Sequence, residues 1–142
     1  MRVALFIDVE NMPNHACAAE AYVRKTYGEH KSFACGSTAF VRGVLERLKA
    51  MGVEIKGTAT GNNRADHVIQ QSIKALIQRE HPPFLVAIAS GDGDFAPIAR
   101  WLKEQGIQTL CIGQSPDKTA RSSKKAFHDI VYLDNAYDSS HR

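Results

Sequence analysis

Two short, unbroken apolar runs, Val3-Ala4-Leu5-Phe6-Ile7 and Leu85-Val86-Ala87-Ile88-Ala89, each pass straight into an acidic cluster. The first ends in Asp8-Val9-Glu10-Asn11 and the second in Ser90-Gly91-Asp92-Gly93-Asp94. Continuous apolar runs bounded by turn residues suit strands buried on both faces of a parallel sheet, and such sheets bind ligands at the carboxyl ends of their strands. If the two strands are neighbours, Asp8, Asp92 and Asp94 converge. Crowded carboxylates repel one another unless a cation or shared protons neutralise them. A divalent metal is the simplest neutraliser, and an all-oxygen donor set, with no Cys or His at metal spacing, favours Mg²⁺ or Mn²⁺ over Zn²⁺.

The intervening sequence alternates helical and strand signals. A helix is expected over Ala16–Lys25, a short strand over Ser32–Cys35, and a helix from a Ser37 cap to about Met51, ended by Gly52. Val53–Ile55 reads as a strand, Gly57–Arg64 as a polar loop, and Asp66 to Arg79 as a helix. Beyond Leu85–Ala89 come a helix over Phe95–Gln105 stopped by Gly106, a strand over Thr109–Ile112, a short helix over Ala120–Phe127 and a final strand over Ile130–Leu133. This order predicts an α/β three-layer sandwich with a central, mostly parallel sheet. A single domain is expected over residues 1–142, with its core at about 3–134 and a short C-terminal tail.

Composition narrows the class without deciding it. The net charge of +3 is too mild to announce a polyanionic partner by itself. Cys17, Cys35 and Cys111 are odd in number and form no CxxC pair, which suits small core residues in a reducing cytoplasm. The opening apolar run is too short for a signal peptide or a membrane span, so no membrane association is expected. No GxGxxG, Walker-type loop or EF-hand pattern is present, which removes the main support for a nucleotide cofactor or a calcium loop.

A third acid follows from helical period. At about 100° per residue, Asp66 shares a face with Ile69, Ile73 and Leu76, so it turns toward the sheet. A first-turn aspartate can equally be a cap or a dipole partner. The loop from Ser90 to Asp94 can likewise be a turn in which Asp92 or Asp94 caps the next helix, but capping needs one acid and two are present on a glycine-flexed loop. Asn11 either starts a turn with Pro13 or offers its amide to a water or phosphate. Ser90 either packs or orients the loop, and Ser72 interrupts an apolar stripe and needs a partner or a shallow position. The six histidines are scattered and read as surface or packed residues; His67, beside Asp66, is the one of interest.

Basic residues gather near the acids: Arg64 just before Asp66, Arg100 and Lys103 on the helix after Asp94, and Lys118, Arg121, Lys124 and Lys125 with only Asp117 in opposition. A charge run is usually a solvated face. Beside an acidic metal pocket, however, flanking cations suit a nucleic acid backbone. Few aromatic residues accompany them, so extended base stacking is not predicted.

Phe6-Ile7-Asp8-Val9-Glu10-Asn11, Asn63-Arg64-Ala65-Asp66 and Ser90-Gly91-Asp92-Gly93-Asp94-Phe95, in this order and spacing, resemble the NYN domain, a branch of the PIN-like nuclease superfamily. The resemblance runs from about Val3 to Val131-Tyr132-Leu133-Asp134. It implies a PIN-like, Rossmann-like topology and a metal-dependent ribonuclease site. Asp8, Asp66, Asp92 and Asp94 match its acidic positions, and Asn11 and Ser90 its neighbouring polar ones. Many relatives carry a Lys-Asn or Lys-Gly pair before the helix acid and a further Asp six residues after it, where this chain has Asn63-Arg64 and Ser72. The run from Ala65-Asp66-His67 through Gln71-Ser72 looks more like limkain-type, LabA-like members.

The leading expectation is therefore an endoribonuclease using one or two Mg²⁺ or Mn²⁺ ions, with Asp8 and Asp92 as direct ligands and Asp66 and Asp94 direct or through water. Ordinary aspartates, with pKa about 4, are poor bases near neutrality, so the ion would carry most of the activation of water. Arg64 and the Lys118–Lys125 segment would hold RNA. A noncatalytic RNA-binding or scaffold module with a degenerate pocket is the alternative. A phosphatase or nucleotide phosphoesterase ranks third, because no Asp-x-Asp-x-Thr follows the first strand. The sequence leaves open a homodimer or a protein partner.

Overall fold

The structure is a computed structural model that describes residues 2–36, 41–56, 65–79 and 81–134. Six strands form one sheet in the order β3-β2-β1-β4-β5-β6: β1 (Val3–Asp8), β2 (Lys31–Cys35), β3 (Glu54–Lys56), β4 (Leu85–Ala89), β5 (Gln108–Gly113) and β6 (Asp129–Tyr132). Every neighbouring pair is parallel, so the expected mostly parallel sheet is wholly so. The strand order reverses between β1 and β4, which pair from Val3↔Leu85 to Ile7↔Ala89. Crevices at such a reversal are where α/β sheets place ligands.

The helices are α1 (Ala16–Tyr27), α2 (Arg42–Ala50), α3 (Ala65–Ile77), α4 (Ala96–Glu104) and α5 (Arg121–Ala126). Alternation along β1 explains the two apolar layers. Val3, Leu5, Ile7 and Val9 join the core beneath α1 and α2, whereas Ala4 and Phe6 join the core beneath α3 and α4. All six β1 residues and all five β4 residues are buried, as continuous apolar runs in a doubly covered sheet require. At the helix ends, Gly52 (φ 91°) and Gly106 (φ 79°) take the left-handed conformation that non-glycine residues resist, and both stop the preceding helix where expected.

Several boundaries differ from the sequence reading. Strand β3 begins one residue later, because Val53 N–H bonds back to Leu48 O at the end of α2. This brings Lys56 into the sheet, opposite Cys35. Helix α2 starts at Arg42; the Ser37 cap and Phe40 lie outside the described residues, as do the Gly57–Arg64 loop and the C-terminal tail beyond residue 134. Between β5 and the expected short helix a 3-10 turn forms at Pro116–Lys118, and α5 begins at Arg121 rather than Ala120. Among the described residues, no helix is long and apolar enough to cross a membrane.

A buried charged group, Glu20, escaped the sequence reading. Glu20 on α1 is wholly buried and meets His30 Nε2 at 2.8 Å and Arg24 Nη2 at 3.1 Å, while His30 Nδ1 meets the Gly28 carbonyl at 2.8 Å. The signal was present: Glu20 lies among buried Ala16, Ala19 and Val23, with Arg24 one helical turn ahead. This cluster fastens the α1–β2 turn at the amino end of the sheet, away from the acids.

Candidate metal centre

Because β1 and β4 are adjacent, their acidic extensions meet at the carboxyl edge of the sheet. Helix α3, lying on the Phe6 face, brings its first turn to the same edge and delivers Asp66. One carboxylate oxygen from each of Asp66, Asp92 and Asp94 lies within 4.8 Å of the others. Asp8 is not in this trio and stands deeper, only 5% exposed. Thus the structure brings together three of the four expected acids and places the fourth behind them.

Asp8 is held where water cannot solvate it. Burial is the chief influence on its carboxyl, and the negative charges of Asp92 and Asp66 act in the same direction; hydrogen bonds from Ser90 and the Asn11 backbone oppose them. The outcome is a pKa pushed up to about 6 from 3.8. Ser90 Oγ donates to Asp8 Oδ2 at 3.0 Å and accepts from Asp92 N–H at 3.1 Å. Of the two roles open to Ser90, orienting the loop is the one observed.

The remaining contacts fix the acidic loop. Asn11 Oδ1 accepts from Gly91 N–H at 2.8 Å, so this amide oxygen braces the loop. The N–H groups of Asn11 and Met12 both bond to Asp8 O, forming the turn that Pro13 suggested. Asp92 caps the 3-10 turn at Gly93–Phe95 by accepting from Asp94 N–H at 2.9 Å. The capping reading therefore accounts for one oxygen of Asp92, and Asp92 still joins the trio. Gln70 Nε2 donates to Asp94 O at 3.2 Å and ties α3, which carries Asp66, to the loop that carries the other two acids. Gln70 had no signal of its own in the sequence beyond its place one turn after Asp66.

The glycines serve a purpose different from the one expected. Neither Gly91 nor Gly93 has positive φ, so conformational freedom does not explain them. They allow close approach: a Cβ on Gly91 would strike the Lys118 carbonyl, and one on Gly93 would meet the Ser122 hydroxyl and the Ala120 methyl. Ala120 N–H bonds to Gly91 O at 2.9 Å, and Ser123 Oγ donates to Asp92 O at 3.3 Å. The start of α5 is thereby fastened to the acidic loop.

That fastening positions the basic segment. Lys118, Arg121, Lys124 and Lys125 are all exposed on or beside α5, whose backbone is pinned to the acids. Arg64 lies outside the described residues. His67 is exposed, with its ring 3.4 Å from the Gln71 amide. Other histidines are tied by hydrogen bonds: His15 Nε2 lies 2.9 Å from Asp134 Oδ1, and His128 Nδ1 2.9 Å from Thr109 Oγ1. Ser72 sits at the shallow, half-buried position its sequence context demanded. Cys35 and Cys111 are buried beside the site, and burial pushes both thiols up to about 12, which keeps them neutral.

The chemistry of the donor set fits a hard divalent cation. Three carboxylates at this spacing offer oxygen only, with no thiolate or imidazole among them.

The fold and its acidic edge are those of a PIN-like α/β domain, the class that includes the PIN-like nucleases. The chain belongs to the NYN domain family, whose profile matches residues 2–134. A protein of unknown function from Vibrio parahaemolyticus has the same fold, with a TM-score of 0.74 at 17% identity over 94% of this chain and 93% of that one. The TrkA-N domain of the Escherichia coli inner membrane protein ybaL is more distant, with a TM-score of 0.52 at 11% identity over 97% of this chain and 92% of that one. Both likenesses concern the fold alone. Among curated protein sequences none matches the chain significantly.

Proposed function

We propose that the protein is an endoribonuclease whose acidic edge works with Mg²⁺ or Mn²⁺. The observation that carries this reading is the convergence of Asp66, Asp92 and Asp94 within 4.8 Å, at the strand-order reversal of a NYN domain. Asp66, Asp92 and Asp94 would hold the cation, with Asp8 behind them. A bound divalent ion there supplies charge neutralisation and the Lewis acidity that activates water and polarises a phosphodiester.

The chain's own groups do the rest. Asp8, buried behind the three acids and bonded to Ser90, stands where it can orient a water at the cation or take its proton. Ser90, Asn11 and Gln70 hold the acids in register through the bonds described above. Lys118, Arg121, Lys124 and Lys125 bind the backbone of RNA as point charges at a fixed offset from the acids.

The direct test is incubation of purified protein with end-labelled single-stranded and hairpin RNA in Mn²⁺, Mg²⁺ or EDTA, beside Asp92→Asn. Cleavage that requires the metal and disappears in the variant is the expected result. RNA that is bound but stays intact under all conditions would favour a noncatalytic binding module, and hydrolysis of small phosphate esters alone would favour a phosphoesterase.

A further inference from the structure

The face of the sheet that carries the acids is the one beneath α3 and α4. On this face a cavity of about 310 Å³ opens between α3 and the β2–β3 edge. Its floor is the stacked pair Phe6 and Phe33, with ring centroids 4.9 Å apart. Ser72, Ala75 and Arg79 of α3 line one side and Lys56 of β3 the other. The volume is at the low end for ligand pockets, which suits a single flat ring better than a larger ligand.

Register relates this cavity to the metal centre. Asp8 pairs with Cys35, and Cys35 pairs with Lys56, so the three stand in one cross-strand row facing the same side. Two strand spacings separate Asp8 from Lys56, about 10 Å. One row below, Phe6 pairs with Phe33. Lys56 Nζ lies over the Phe33 ring at 5.4 Å and also pairs with Glu54 at 2.8 Å. Glu54 is 59% exposed, and a pair so open to water is weak enough for a phosphate to replace the carboxylate. The acids are thus flanked by cations on both sides: α5 toward β6, and Lys56 with Arg79 toward β3.

We infer that the cavity between α3 and β2–β3 is a nucleoside subsite that takes one unpaired base of an RNA strand next to the phosphate held at the acids. Lys56 turns from the Phe33 ring to the adjoining phosphate, and the base takes its place over that ring, against Ser72 and Ala75. This rests on the ribonuclease reading for its ligand, yet it makes a separate claim: the strand leaves the metal centre across β2, single-stranded, with at least one base read by contact. Stacking of a base on an aromatic side chain tolerates any sequence, so the subsite selects unpaired over paired RNA more than one base over another.

The test uses Asp92→Asn as background, to keep RNA intact, and measures by fluorescence anisotropy the affinity for an eight-nucleotide single strand and for its abasic counterpart. Ala75→Trp and Ser72→Trp, each checked for an unchanged circular dichroism spectrum, fill the cavity from α3. Either is expected to weaken the base-bearing strand fivefold or more while leaving the abasic strand within twofold. Lys56→Gln should weaken both. Base-bearing affinity within twofold of the background in both tryptophan variants would overturn the subsite. If the otherwise unsubstituted chain still cleaves RNA in that case, the ribonuclease reading stands without it. Failure of the background protein to bind either strand, with no cleavage by the unsubstituted chain, would overturn both.

Discussion

Ser90 Oγ lies 3.0 Å from Asp8 Oδ2 and joins the carboxyl ends of β1 and β4 across the point where the strand order reverses. The same hydroxyl accepts from Asp92 N–H, so one side chain sets both the buried acid and the loop that presents the outer ones. The price of this arrangement is a carboxylate buried among like charges, and stability should register it.

Asp8 has a folded-state pKa of about 6 against an ordinary 3.8, so the folded protein binds more protons than the unfolded chain between these values. Stability therefore falls as pH rises from about 4 to 6, and the full penalty persists above. Asp8→Asn removes the charge. Without divalent cation at pH 8, it is expected to be more stable than the parent by up to roughly 3 kcal/mol, at 1.36 kcal/mol per pKa unit. That advantage should shrink below pH 6 and be largely gone near pH 4. Urea denaturation at pH 8 and pH 4 measures it; a variant less stable than the parent at pH 8 contradicts the assignment.

The glycines of the acidic loop predict a graded response. In Gly91→Ala the new methyl meets a backbone carbonyl at Lys118, which cannot turn aside, and a loss of about 2 kcal/mol with displacement of α5 is expected. Gly93→Ala meets mainly the Ser122 hydroxyl, which can rotate, so a smaller loss should follow. Thermal denaturation of the two variants checks the order; equal losses would argue against the close approach of α5 as the cause.

Gln70 links the helix of Asp66 to the loop of Asp92 and Asp94. Its replacement by Ala removes one half-exposed hydrogen bond, worth about 1 kcal/mol at most in stability. The greater effect falls on geometry. Affinity for Mn²⁺, followed by electron paramagnetic resonance, is expected to drop several-fold, and Gln70→Glu should fail to restore it because the donor to Asp94 O is gone.

At the opposite end of the sheet, Glu20 tests separability. Glu20→Ala leaves His30 and Arg24 without their buried partner and should cost about 3 kcal/mol. Affinity for Mn²⁺ should be unchanged at a temperature where the variant remains folded. A loss of cation affinity proportional to the loss of stability would show that the two ends of the sheet are coupled.

The strand ends and the period of α3 were legible because burial imposes a strict apolar pattern. Unbroken runs marked β1 and β4, and the i, i+3, i+7 spacing turned Asp66 inward. Which acids meet was less legible, because it depends on how far each loop extends beyond its strand. Asp8 belongs to the last residue of β1 and is buried with it, while Asp92 and Asp94 lie on the 3-10 turn that projects outward. Gly91 and Gly93 looked like flexible turn residues; only the three-dimensional approach of Lys118 and Ser122 distinguishes steric need from backbone freedom. Lys56 escaped notice because β3 is three residues long and one residue decides its register.

The central claim is that Asp66, Asp92 and Asp94 form a cation site in front of Asp8. Crystals soaked in Mn²⁺, with anomalous scattering collected at the manganese edge, test it most directly. The account predicts a single strong peak, or two close together, in contact with carboxylate oxygens of these three residues and lost in Asp92→Asn. A peak elsewhere on the chain, or one at the acids that persists undiminished in the variant, would contradict it.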